Sequence, residues 1–115
     1  MTHEEALEDY VRRACESNLY ITITGGTLGR PRFIAVVTYG NSFEELIPLR
    51  DVLGGNTINS QRGACAKKLN IHKQQAVELL EELIPLLEAS ENMQAKRRAR
   101  YGRDKLKAWK QGGWH

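Results

Sequence analysis

Cysteine, proline, aromatic residues and long apolar runs are all scarce in this chain of 115 residues. Each scarcity removes a class of protein. The two cysteines, Cys15 and Cys65, stand far apart, and His3, His72 and His115 show no ligand spacing, so neither a disulfide framework nor a zinc centre is expected. No apolar run approaches the ~20 residues of a membrane-spanning helix. The opening MTHEEALEDY is acidic and does not read as an export or organelle leader, which makes an intracellular, cytoplasmic protein the expectation. Hydrophobic residues at 41% and charged residues at 27% are ordinary for one globular domain, and the length suffices to bury a core without covalent staples.

What the chain does have is charge of both signs, unevenly spread. Residues 1–92 hold 9 Lys+Arg against 13 Asp+Glu, whereas residues 93–115 hold 8 against the single Asp104. The body is thus about −4 and the C-terminal segment about +7. Such asymmetry points to an anionic partner, most often nucleic acid, or to a solubilising extension.

Apolar periodicity predicts a first helix over 4–17, with Thr2 as its cap and Glu5 completing a capping box. YITIT (20–24) alternates with the period of a half-buried strand, GGTLGRP reads as a loop, and RFIAVVTY returns as the second strand of a hairpin. Ser42 and Glu45 open a second helix, stopped by Gly54 and Gly55. NTINSQ and ACAKKLNI read as two further strands about Arg62-Gly63, and a long helical stretch follows from residue 73. The order is α-ββ-α-ββ-α. EELIPL occurs at 44–49 and at 81–86, one ββα unit apart, but the flanks share nothing, so the hexapeptide is read as coincidence within a repeated architecture. Pro85 is expected to kink or divide the final helix.

DVLGG (51–55), LLEELIPLLEASENMQAKRRA (79–99) and NLYITIT (18–24) together resemble the LAGLIDADG homing endonuclease family, over about residues 8–102. The resemblance implies an α+β fold of a single-motif half-domain, with a four-stranded antiparallel saddle on double-stranded DNA. It also implies a homodimer, and Mg²⁺ at a carboxylate closing the first helix. The signature itself is replaced by DYVRRACES (9–17): Tyr10 and Val11 stand for small residues, and Arg12 and Arg13 for apolar ones. That alignment sets Glu16 at the metal-binding, catalytic acid and Ser17 at the glycine after it.

With Ile21 and Ile23 turned to the helices, the DNA face would carry Tyr20, Thr22 and Thr24. Arg30 and Arg32 would lie at the hairpin, Asn59 and Gln61 on the third strand, and Lys67 and Lys68 on the fourth. Arg97 and Arg98 open the basic C-terminal stretch, which interleaves cations with Tyr101, Trp109 and Trp114. The expectation is a DNA-binding domain over 1–102 and a basic, partly disordered tail over 103–115, diverged from a homing nuclease. Two alternatives stay open: an active Mg²⁺-dependent homodimeric endonuclease using Glu16, and a non-catalytic protein or RNA interaction module.

Overall fold

The computed structural model of the chain describes residues 1–24, 33–55, 58–60 and 67–111. In order these form α1 (His3–Cys15), β1 (Leu19–Thr24), β2 (Phe33–Gly40), α2 (Phe43–Leu53), β3 (Asn59–Ser60), β4 (Lys67–His72), α3 (Lys73–Ala89) and α4 (Met93–Gln111). The antiparallel sheet has three full strands, β1-β2-β4, and β3 adds only a two-residue pairing beyond β4. The fourth full strand that the sequence leads one to expect is not shown among the described residues.

Local chemistry accounts for the helix starts. Thr2 Oγ1 accepts the Glu5 amide at 3.1 Å and Glu5 Oε1 accepts the Thr2 amide at 2.9 Å, the reciprocal capping box. Ser42 Oγ accepts the Glu45 amide at 3.3 Å to open α2. At the end of α1 the Asn18 amide bonds the Arg13 carbonyl and the Ser17 amide bonds the Ala14 carbonyl. This is a Schellman ending, with Ser17 at φ 61° in the left-handed position that favours glycine. After α2, Gly54 and Gly55 take φ of 88° and 132°. A Cβ on Gly55 would sit 3.1 Å from the Asn70 carbonyl, so the paired glycines let the chain pass close to β4.

The long C-terminal helix does divide, but not at Pro85. Helix α3 continues through Pro85 to Ala89. Pro85 lies on the exposed side, where the Glu81 carbonyl it leaves without an amide can turn to water. The break comes at Ser90–Asn92: Asn92 Oδ1 accepts the Gln94 amide at 2.8 Å and the Ala95 amide at 3.2 Å and starts a new helix. Residues 103–111, the first part of the basic C-terminal stretch, lie in α4.

The helices cover one face of the sheet. Pairs of matching register, Ile21↔Val36↔Ile71 and Leu19↔Thr38↔Leu69, turn inward. They join Ala6, Tyr10 and Ala14 of α1, Leu46 and Leu49 of α2, Leu80, Leu83 and Leu87 of α3, and Ala95 and Ala99 of α4 in one core. Each fully buried leucine or isoleucine there contributes about 1.5–3 kcal/mol against exposure. The inward Thr38 is satisfied, its hydroxyl donating to the Asn18 carbonyl at 3.1 Å. Helix α4 approaches β1 through Gly102, where a Cβ would meet Ile21 Cδ1 at 2.6 Å. No helix among the described residues is long and apolar enough to cross a membrane.

Candidate nucleic-acid interface

Strand alternation decides which side chains remain on the outer face of the sheet. Register puts Tyr20 opposite Val37, Thr22 opposite Ala35, and Tyr39 opposite Lys68, all on the face away from the helices. Tyr20 is 40% exposed, and Thr22, Tyr39, Lys68, Asn70 and His72 are half-buried. In backbone register, Thr24 pairs with Phe33 and Asn59 with Lys68. Lys67 does not share the parity of Lys68. It pairs with Gly40, and its ammonium lies 5.1 Å from the centre of the Phe43 ring, at the helix side of the sheet. Of the two lysines, Lys68 therefore has the outer parity. Arg30, Arg32 and Gln61 lie outside the described residues.

Arg98 reaches this face from α4. Its guanidinium stacks 4.7 Å from the centre of the Tyr20 ring, and Tyr20 meets Tyr39 edge-on at 5.7 Å. An aromatic–cationic row thus crosses the β1 edge, each contact contributing about 0.5–1 kcal/mol when exposed. Arg97, one residue earlier, is exposed and apart from the row. Tyr39, Asn70 and His72 were missed from sequence. The signal for them was parity: they fall on the Lys68 side of β2 and β4. Asn70 Oδ1 is buried without a hydrogen-bond partner. Phe33 meets His72 edge-on at 5.1 Å, and burial, with Lys73 and Lys68 nearby, holds the His72 imidazole below its ordinary pKa.

The replaced signature on α1 explains itself in the packing. Tyr10 and Arg13, two of its departures, both turn into this chain's own core. Arg13 donates to Asp9 Oδ2 at 2.8 Å and to the Tyr39 carbonyl at 2.8 Å, and pairs with Glu45 at 3.4 Å. Burial pushes the Asp9 carboxyl up, but hydrogen bonds from Arg13 and Arg12 outweigh it and hold Asp9 below the usual carboxylate range. Glu16 caps α1, half-exposed, and accepts from Arg12 at 3.1 Å.

Magnesium needs several oxygen ligands in near-octahedral array. Glu16 faces a guanidinium, Asp9 is bound by Arg12 and Arg13, and no trio of His, Cys, Asp or Glu gathers among the described residues. The donors that a single chain offers among the described residues do not fit that ion.

No protein-family model matches the chain, and no curated protein matches it in sequence. Solved structures do. The homing endonuclease I-CvuI, in complex with the I-CreI target in the presence of Mg with the DNA not cleaved, superposes with a TM-score of 0.57. Identity is 12%, over 93% of this chain and 83% of that one. I-CvuI in complex with its own target in the presence of Ca gives a TM-score of 0.52 at 17% identity, over 92% and 72%. At such identities the likeness concerns architecture: this chain has a homing-endonuclease-like α+β fold.

Proposed function

We propose that the protein binds double-stranded DNA along the outer face of its sheet, as a protein diverged from a LAGLIDADG nuclease. The observation that carries this reading is the row Tyr39–Tyr20–Arg98 beside Lys68 and Thr22, on the face the helices leave uncovered in a fold shared with proteins solved on DNA. Lys68 and Arg98 suit phosphate and base-edge contacts, Thr22 and Asn70 supply donors and acceptors, and Tyr20 holds the Arg98 fork in one plane. The reading needs neither a metal nor a second chain. A second copy meeting α1 would face Glu4, Glu8, Arg12 and Glu16, a charged surface rather than an apolar one.

Anisotropy of a labelled duplex library, titrated with salt, tests it. Affinity should fall with salt by a log–log slope of about −0.9 for each phosphate neutralised, and Lys68→Ala should reduce that slope by about one. Affinity indifferent to salt would overturn the reading and favour the protein-interaction alternative. Adding Mg²⁺ separates binder from nuclease: cleavage by the parent, lost in Glu16→Gln with binding retained, would move the assignment to a homodimeric endonuclease.

A further inference from the structure

We propose that α4 carries a second contact for double-stranded DNA, on the side of the molecule away from the sheet, so that one protein holds two duplex segments at once. Bridging rests on the sheet reading above, but the ridge itself is carried by different residues. Helix α4 carries eight Lys and Arg against the single Asp104. Arg103 is paired with Glu88 and Lys110 with Glu81 at 3.1 Å, both on α3. Arg98 is stacked on Tyr20 and Lys105 lies 5.2 Å from the Tyr101 ring centre. Lys96, Arg97, Arg100 and Lys107 remain exposed, with no ion-pair partner among the described residues.

Helical geometry sets this ridge apart from the sheet. Arg98 and Arg100 are two residues apart, about 200° around a helix of 3.6 residues per turn, so a helix that turns Arg98 to the β1 edge turns Arg100 to the opposite side. Lys96, Arg100 and Lys107 recur at steps of four and seven, along about 16 Å at a rise of 1.5 Å per residue. A duplex offers one phosphate per about 3.4 Å on each strand, so the ridge can follow roughly five phosphates. Glu88, paired with Arg103, and Asp104 line the same groove as Lys96 and Arg100, so three cations meet two acids there and Lys107 lies beyond them.

Other anionic occupants fit less well. A lipid surface would need a free apolar side to insert, and the apolar side of α4, with Ala95, Ala99 and Gly102, is already in the core. Protein interfaces are anchored by apolar or aromatic side chains at their centre. The exposed ones on α4 are Met93, at its first residue, and Tyr101, about 100° around from Arg100.

The test uses the full chain. A duplex is immobilised, protein is bound to it, and a fluorescent second duplex is then offered. Parent protein should capture the second duplex, and the triple variant Lys96→Gln/Arg100→Gln/Lys107→Gln should bind the immobilised duplex within about threefold of parent while losing capture at least about tenfold. All three sites are exposed, and circular dichroism with a thermal melt checks folding. Capture by the triple variant equal to the parent's, as a dimer bridging through two sheets would give, overturns the proposal. So does a parent that binds the immobilised duplex but captures nothing; that result leaves the sheet reading intact. A parent that binds no duplex removes both.

Discussion

Arg13 and Arg100 are the same residue type on two helices of one small protein, and they do opposite things. Arg13 is 2% exposed and fully engaged by Asp9, Glu45 and the Tyr39 carbonyl, which fastens α1 to the β2–α2 corner. Arg100 stands exposed and makes no ion pair among the described residues. A buried guanidinium survives only when its donors are satisfied from within, whereas an exposed one retains its donors for something outside. The corner has turned charge into structure, and α4 keeps charge for a partner.

The sharpest way to break that contrast is Arg13→Ala. It removes the buried partner of Asp9 and Glu45, leaving Asp9 only Arg12, and should cost about 3–5 kcal/mol in urea denaturation. A loss within surface scatter would mean that the corner is solvated like α4. A smaller effect should appear with pH. Asp9 is held below its unfolded value, so its pairing adds stability that is complete above about pH 4, the unfolded range, and is lost as pH falls through the lower folded value. Melting temperature should therefore drop on acidification below about pH 4 in the parent, and less steeply in Asp9→Asn. A parallel decline in both proteins would remove Asp9 from the account.

Ser17→Gly probes the same corner from the backbone. A serine at φ 61° carries left-handed strain that glycine lacks, so the variant should gain about 0.5–1 kcal/mol, read as a higher urea midpoint at unchanged slope. The smallest effect on stability belongs to Arg100→Ala, expected within about 0.5 kcal/mol of the parent. Its consequence should instead be weaker capture of a second duplex.

Much of the fold was legible because its signals are local. Thr2 with Glu5, Ser42 with Glu45, and the Gly54-Gly55 stop each act within one turn of chain, and each is found where sequence puts it. Tyr20 and Thr22 were legible as outer residues because strand parity needs only neighbours. The division of the last helix was misread since Pro85 is the louder local signal, yet an exposed proline can be carried by a helix whose other side is buried, and the quieter Ser90–Asn92 provides the cap. From residue 73 the sequence reads as one long helical stretch, in which α4 is not separated from α3. The apolar positions of α4 are small, Ala95, Ala99 and Gly102, and they register as a core face only once β1 and α3 lie against them.

Composition and short-range pattern by themselves determined the order of helices and strands up to residue 73, the caps of α1 and α2, the parity of β1, and the concentration of positive charge after residue 92. Those properties depend on residues within a few positions of one another. Tertiary structure alone decided that Lys67 meets the Phe43 ring, that Arg98 stacks on Tyr20 from a helix many residues later, and that Arg13 is a buried fastener rather than a surface cation. Each of those outcomes depends on which distant chain segment supplies the partner, and no local sequence window contains that partner.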